Sequence, residues 1–137
     1  MTRPQAFPVR QKGPAMPASV GYLVIDTTDP QQLAPFWCAL LDVQVEDSIG
    51  DGQFIVLSGT ADGLTVGFQQ VPESKSGKNR LHLDLVVEDL DASTAEIESL
   101  GGRWLEPGDT HDLEGFRWRC MADPDGNEFD IDTLPPA

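Results

Sequence analysis

A chain of 137 residues suffices for one domain with a real core, and no apolar run approaches the roughly 18 residues needed to span a bilayer. Its formal charge is −14, and with Arg3, Arg10 and Lys12 confined to the first 18 residues, the remainder sets six basic residues against 23 acids, a net −17. Such a field repels nucleic acid and anionic membranes and attracts cations, although acidity also serves solubility alone.

Residues 1–18 contain Pro4, Pro8, Pro14 and Pro17 and no acidic residue, and read as a disordered leader. They lack the apolar segment of a secretory signal, and Cys38 and Cys120 belong to no CxxC pair, so a cytosolic protein with two reduced thiols is expected. The run Val20 to Ile25 is β-branched and aromatic and predicts a strand. Asp29-Pro30 then offers an N-cap followed by proline at the first helical position. Leu33, Phe36, Trp37, Leu40 and Leu41 recur at helical spacing behind it. Three short strands are predicted near 43–47, 53–58 and 64–70, separated by turns at Gly50, Gly52, Gly59 and Gly63.

After a polar connector over 72–79 the same order restarts. Leu81 to Val87 alternates as a strand, and Asp91 can cap a helix over 92–100 with Ala92, Ala95, Ile97 and Leu100 as its apolar positions. Gly101-Gly102 stops that helix, and strands are predicted near 103–106, 116–121 and 127–132 with a DPDG turn before the last. A shift of 60 residues aligns Leu23 with Leu83, Asp29 with Asp89 and Leu40 with Leu100. After a three-residue insertion Asp62-Gly63 aligns with Asp125-Gly126. The expectation is an α+β fold of two tandem βαβββ modules, about 19–72 and 80–134, within one domain over 19–137. One helix per module covers one face of its strands, leaving the other face free to form a curved mixed sheet with a cleft.

The run Arg80-Leu-His82-Leu-Asp-Leu-Val-Val-Glu-Asp89 resembles the opening strand of a second vicinal-oxygen-chelate module. Met121-Ala-Asp123-Pro-Asp-Gly126-Asn-Glu-Phe129-Asp-Ile131 resembles that superfamily's last turn and strand. Gly21 to Asp26 and Phe68 to Pro72 are similar to glyoxalase-like members, so the resemblance to the glyoxalase, bleomycin-resistance and dioxygenase group covers about 19–134. The resemblance implies a paired βαβββ fold, often a homodimer, with a small molecule as partner, and the acidic charge argues against nucleic acid or membrane as partners. It also implies four inward positions that carry ligands in metal-using members, here Tyr22, Gly67, His82 and Asp130.

His82 and Asp130 suit Zn²⁺, Ni²⁺, Fe²⁺ or Mn²⁺, whereas Gly67 has no side chain and Tyr22 is a poor ligand unless ionised. Alternation places Leu83, Leu85, Phe129 and Ile131 toward the helices, opposite His82 and Asp130. Gln69 or Glu128 could complete the ligand shell, and Glu128 is also the candidate catalytic base. His82 and Asp130 could equally form a hydrogen-bonded pair without metal. Trp118 offers either core packing or a platform for a planar cation, and Arg117 with Arg119 offers an anion clamp. His111, in a Gly- and Asp-rich stretch, reads as a solvated loop residue, and Lys75, Lys78 and Arg80 as a solvated basic connector. Two ligands rarely hold a divalent ion. The incomplete set therefore places metal-free binding or sequestration of a small molecule first, with no cofactor. A metal-dependent lyase, isomerase or dioxygenase acting on vicinal oxygens is the alternative.

Overall fold

The computed structural model describes residues 17–134, so the leader expected over 1–18 lies almost wholly outside the described residues. The chain divides into two compact units between Ser74 and Lys75, inside the connector that the sequence placed between modules.

In the N-terminal unit the order is β1 (Leu23–Thr27), α1 (Pro30–Leu41), β2 (Val45–Ile49), β3 (Phe54–Leu57) and β4 (Val66–Gln70). The sheet runs β1-β4-β3-β2, with β1 parallel to β4 and the remaining pairs antiparallel. Helix α1 starts where expected: the Asp29 carboxylate accepts from the Gln32 amide at 3.2 Å, and Pro30 opens the helix. Leu33, Phe36 and Trp37 are buried together with Ile55, Leu57, Val66 and Phe68, forming this unit's core. Leu40 and Leu41 are only half-buried, so the expected apolar stripe is narrower toward the helix end.

The C-terminal unit repeats the order with β5 (Asp84–Val86), α2 (Leu90–Ser99), β6 (Arg103–Trp104), β7 (His111–Leu113), β8 (Phe116–Ala122) and β9 (Glu128–Thr133). Its sheet runs β5-β9-β8-β6, with β5 parallel to β9. β6 pairs with one end of β8 and β7 with the other, so the two short strands divide β8's second edge. The paired registers reproduce the sequence repeat: Val24 lies opposite Gly67 in one sheet and Asp84 opposite Asp130 in the other, offsets of 60 and 63. The fold is thus mixed α+β with two mixed sheets, one per module.

Two local expectations need correction. Asp89, not Asp91, caps α2: it is extended at φ −138° and its carboxylate accepts from the Ala92 amide at 3.0 Å. The cap moves back because Leu90 is buried as the first helical residue, and the buried face is Leu90, Thr94 and Ile97 while Ala92 and Ala95 are exposed. His111 lies in a strand rather than a loop, because Glu114 and Gly115 at φ 53° and 90° turn β7 back onto β8. The DPDGN turn forms as expected: the buried Asp123 carboxylate accepts from the Asp125 and Asn127 amides and the Asn127 side chain. No helix among the described residues is long and apolar enough to cross a membrane.

Candidate functional site

Residues opposite one another on paired strands point to the same face, and successive residues alternate. In the C-terminal sheet this puts Phe129, Ile131, Met121 and Arg119 on the α2 side, where all four are buried. The opposite face collects Asp84, Asp130 and Cys120, which are consecutive neighbours across β5, β9 and β8. His82, just before β5, joins them: its Nε2 lies 3.1 Å from Asp84 Oδ1 and 3.3 Å from Asp130 Oδ2. The structure therefore brings His82 and Asp130 together and adds Asp84 as a third donor, all within 4.8 Å of one another. The His82 and Asp84 side chains are about half exposed and Asp130 is largely covered. Burial pushes the Asp130 carboxyl above its ordinary value, and the neighbouring His82 partly opposes that shift.

A second donor set lies on this face. His111 Nε2 sits 3.1 Å from Glu106 Oε1, and both gather with the Cys120 sulfur within 4.8 Å. Pairing between β7 and β8 sets His111 opposite Trp118, whose ring stacks on the imidazole at 5.1 Å and 19°. Burial, then a thiol hydrogen bond to Glu106 and the charge of Asp130, push the Cys120 thiol up to about 12. That thiol is protonated at neutral pH and is no nucleophile. The hydrogen bond with Glu106 raises His111, and the same bond holds Glu106 below its usual range.

Other expected residues take separate places. Glu128 opens β9 two residues before Asp130 and is ion-paired to exposed Lys78 at 2.7 Å. Trp118 is half-buried on the polar face, against His111 and Phe116. In the N-terminal unit, Tyr22 precedes β1 and is half-buried, Gly67 is buried in β4, and Gln69 is exposed two residues further on. The alternative of an anion clamp by Arg117 with Arg119 is not realised. Arg119 is buried, donating to Thr110 Oγ1, Thr94 Oγ1, the Leu90 carbonyl and Asp91, with its guanidinium 4.1 Å over the Trp104 ring. Alternation turns that side chain to α2, where it staples helix to sheet. The basic connector is not merely solvated either, since Lys78 holds Glu128.

Asp84, Glu106 and Cys120 escaped the sequence reading. The first has a local signal, because a His-x-Asp alternation on a strand shares one face. The other two have none, since Glu106 and Cys120 meet only through β8's edge pairing.

The family model for a glyoxalase-like domain matches residues 22–131. The chain belongs to that family. The fold matches solved members of the glyoxalase, bleomycin-resistance and dioxygenase group. A Burkholderia phytofirmans PsJN enzyme of that description is 18% identical at a TM-score of 0.68, covering 82% of this chain and 96% of that one. The oxidase ChaP-H2 is 21% identical at a TM-score of 0.64, covering 88% and 96%. A mutant of the Listeria monocytogenes fosfomycin resistance protein FosX, complexed with Mn(II) and 1S,2S-dihydroxypropylphosphonic acid, is 16% identical at a TM-score of 0.68, covering 85% and 90%. At these identities the likeness concerns the fold alone. No curated protein matches the sequence significantly.

Proposed function

We propose that this glyoxalase-like domain acts on a small molecule with neighbouring oxygens, through a divalent cation held by His82, Asp84 and Asp130. The observation carrying this reading is the convergence of one imidazole and two carboxylates within 4.8 Å on the open face of the sheet. Three protein ligands are what a catalytic centre of Zn²⁺, Mn²⁺, Fe²⁺ or Ni²⁺ asks for, and the sequence alone had supplied two. The structural likeness to a Mn(II)-bound FosX supports it at the level of fold. A bound cation would polarise substrate oxygens as a Lewis acid. The chain's own residues would do the rest: Trp118 and His111 present a flat wall, and Glu128 moves a proton once Lys78 releases it. Lyase, isomerase and dioxygenase chemistry all fit such a site. The decisive experiment is elemental analysis and Mn²⁺, Zn²⁺, Ni²⁺ and Fe²⁺ titration of protein carrying no His tag. The expected result is an ion whose binding weakens at least about tenfold in His82→Ala; undiminished binding in that variant would refute the assignment.

Metal-free binding or sequestration is the second reading. It is favoured by the closeness of His82 to both carboxylates, which satisfies the set without an ion, and by the charge of −14. Here the ligand is a planar cation resting on Trp118. Quenching of tryptophan fluorescence by such compounds should then persist in excess chelator, and its loss on chelation would exclude this reading. The family resemblance also leads us to expect a homodimer, which light scattering on the full chain tests directly.

A further inference from the structure

We propose that Glu106, His111 and Cys120 form a second cation site, distinct from the His82 set and selective for a borderline metal such as Zn²⁺ or Co²⁺. The donor set is mixed: a carboxylate oxygen, an imidazole nitrogen and a thiol sulfur, all mutually within 4.8 Å. Hard cations such as Mg²⁺ and Ca²⁺ take oxygen ligands, whereas sulfur and imidazole together favour Zn²⁺ and its neighbours. Three ligands leave the fourth tetrahedral position open to water or to a small ligand.

The supports of the site are already in place. Stacking on Trp118 and the pairing of β7 with β8 fix the His111 ring with Nε2 turned toward Glu106. Cys120 is anchored in the middle of the longest strand of this unit, half-buried, beside Asp130. Among the described residues His111 is the only ion-pair partner of Glu106, and Lys78 acts on that carboxylate through its charge without pairing with it. Binding releases protons to solvent: the thiol loses one because sulfur ligates as thiolate, and His111, where it faces Glu106 as imidazolium, loses another to ligate as neutral imidazole through Nε2, while Glu106 ligates as carboxylate. Asp130, next to Cys120 on one side and His82 on the other, makes the two sets neighbours on one face.

The test is a Co²⁺ titration of the metal-free full chain in a non-thiol reductant, read by the near-ultraviolet thiolate-to-cobalt absorption band. That band reports sulfur ligation only, so its result is independent of whether His82 binds an ion. The expected outcome is a saturable band retained in His82→Ala and Cys38→Ser, abolished in Cys120→Ser, and weakened by about tenfold or more in Glu106→Gln and His111→Gln. Between about one and two protons should appear per ion bound in weakly buffered solution, approaching two as the pH falls and His111 becomes charged. Absence of the band in the parent protein overturns the proposal, as does its survival in Cys120→Ser or its loss in His82→Ala. Glu106→Gln alters an exposed side chain, and unchanged cobalt affinity in that variant also overturns it, even should Cys120→Ser misfold.

Discussion

The two units share one βαβββ scaffold, to which the C-terminal unit adds the short strand β7, and the open faces of their sheets carry different side chains. At matched registers, Val24, Gly67 and Val56 on the face of the N-terminal sheet away from its helix stand where the C-terminal sheet carries Asp84, Asp130 and Cys120. Both helices are capped by an aspartate whose carboxylate meets the amide three residues on. Both bury a large side chain at equivalent positions, Trp37 and Ile97. The caps and helix-facing residues thus recur in both units, while the imidazole, carboxylate and thiol groups gather in one sheet only.

If the helix-facing cores are equivalent, removing either should cost heavily. Trp37→Ala is expected to destabilise by about 3–5 kcal/mol and Ile97→Ala by about 2–5 kcal/mol, read from urea unfolding. A loss confined to one variant would show that only one unit sets global stability.

The next contrast is Ile55 against Arg119, which occupy matching registers opposite Phe68 and Ile131. An apolar residue holds helix to sheet in one unit and a hydrogen-bonded cation in the other. Arg119→Ala should cost roughly 2–3 kcal/mol, because the Thr94 hydroxyl and the Trp104 ring lose their cover. Asp91, its exposed partner, should matter much less: Asp91→Ala is expected to change stability by under about 1 kcal/mol.

The last contrast separates Gln69 from Asp132, again at matching registers opposite Asp26 and Val86. Gln69 is exposed, while Asp132 is buried with Oδ1 lacking a hydrogen-bond partner. Burial, reinforced by Asp84 and Asp130, raises the Asp132 carboxyl. The folded state therefore holds its proton more tightly than the unfolded chain, and stability falls as pH rises from the unfolded carboxylate value through the folded one. Asp132→Asn should gain about 1 kcal/mol at neutral pH, with little change at acid pH where the aspartate is already neutral. Gln69→Ala should be close to neutral at any pH; a thermal-melt series against pH compares the two.

Much of this molecule was legible in its residues. Asp29-Pro30 and the spacing of Leu33, Phe36 and Trp37 specify α1 through backbone capping and helical period, which act within a few residues. Alternation along Leu83, Leu85, Phe129 and Ile131 fixed which way His82 and Asp130 point. The errors were of one kind: Asp91 for Asp89 as cap, and His111 as loop, each decided by whether a neighbouring side chain or strand buries the segment.

The sequence by itself determined the order of the elements apart from β7, the start of α1 and the inward or outward sense of β5 and β9, because these follow from local dihedral preference and the period of hydrophobicity. Only the tertiary structure decided that His82 meets Asp84 and Asp130, that Cys120 meets Glu106 and His111, and that Arg119 turns to α2. Those meetings are set by register between strands far apart in the chain, and register is the joint solution of packing a whole face, which no local segment encodes.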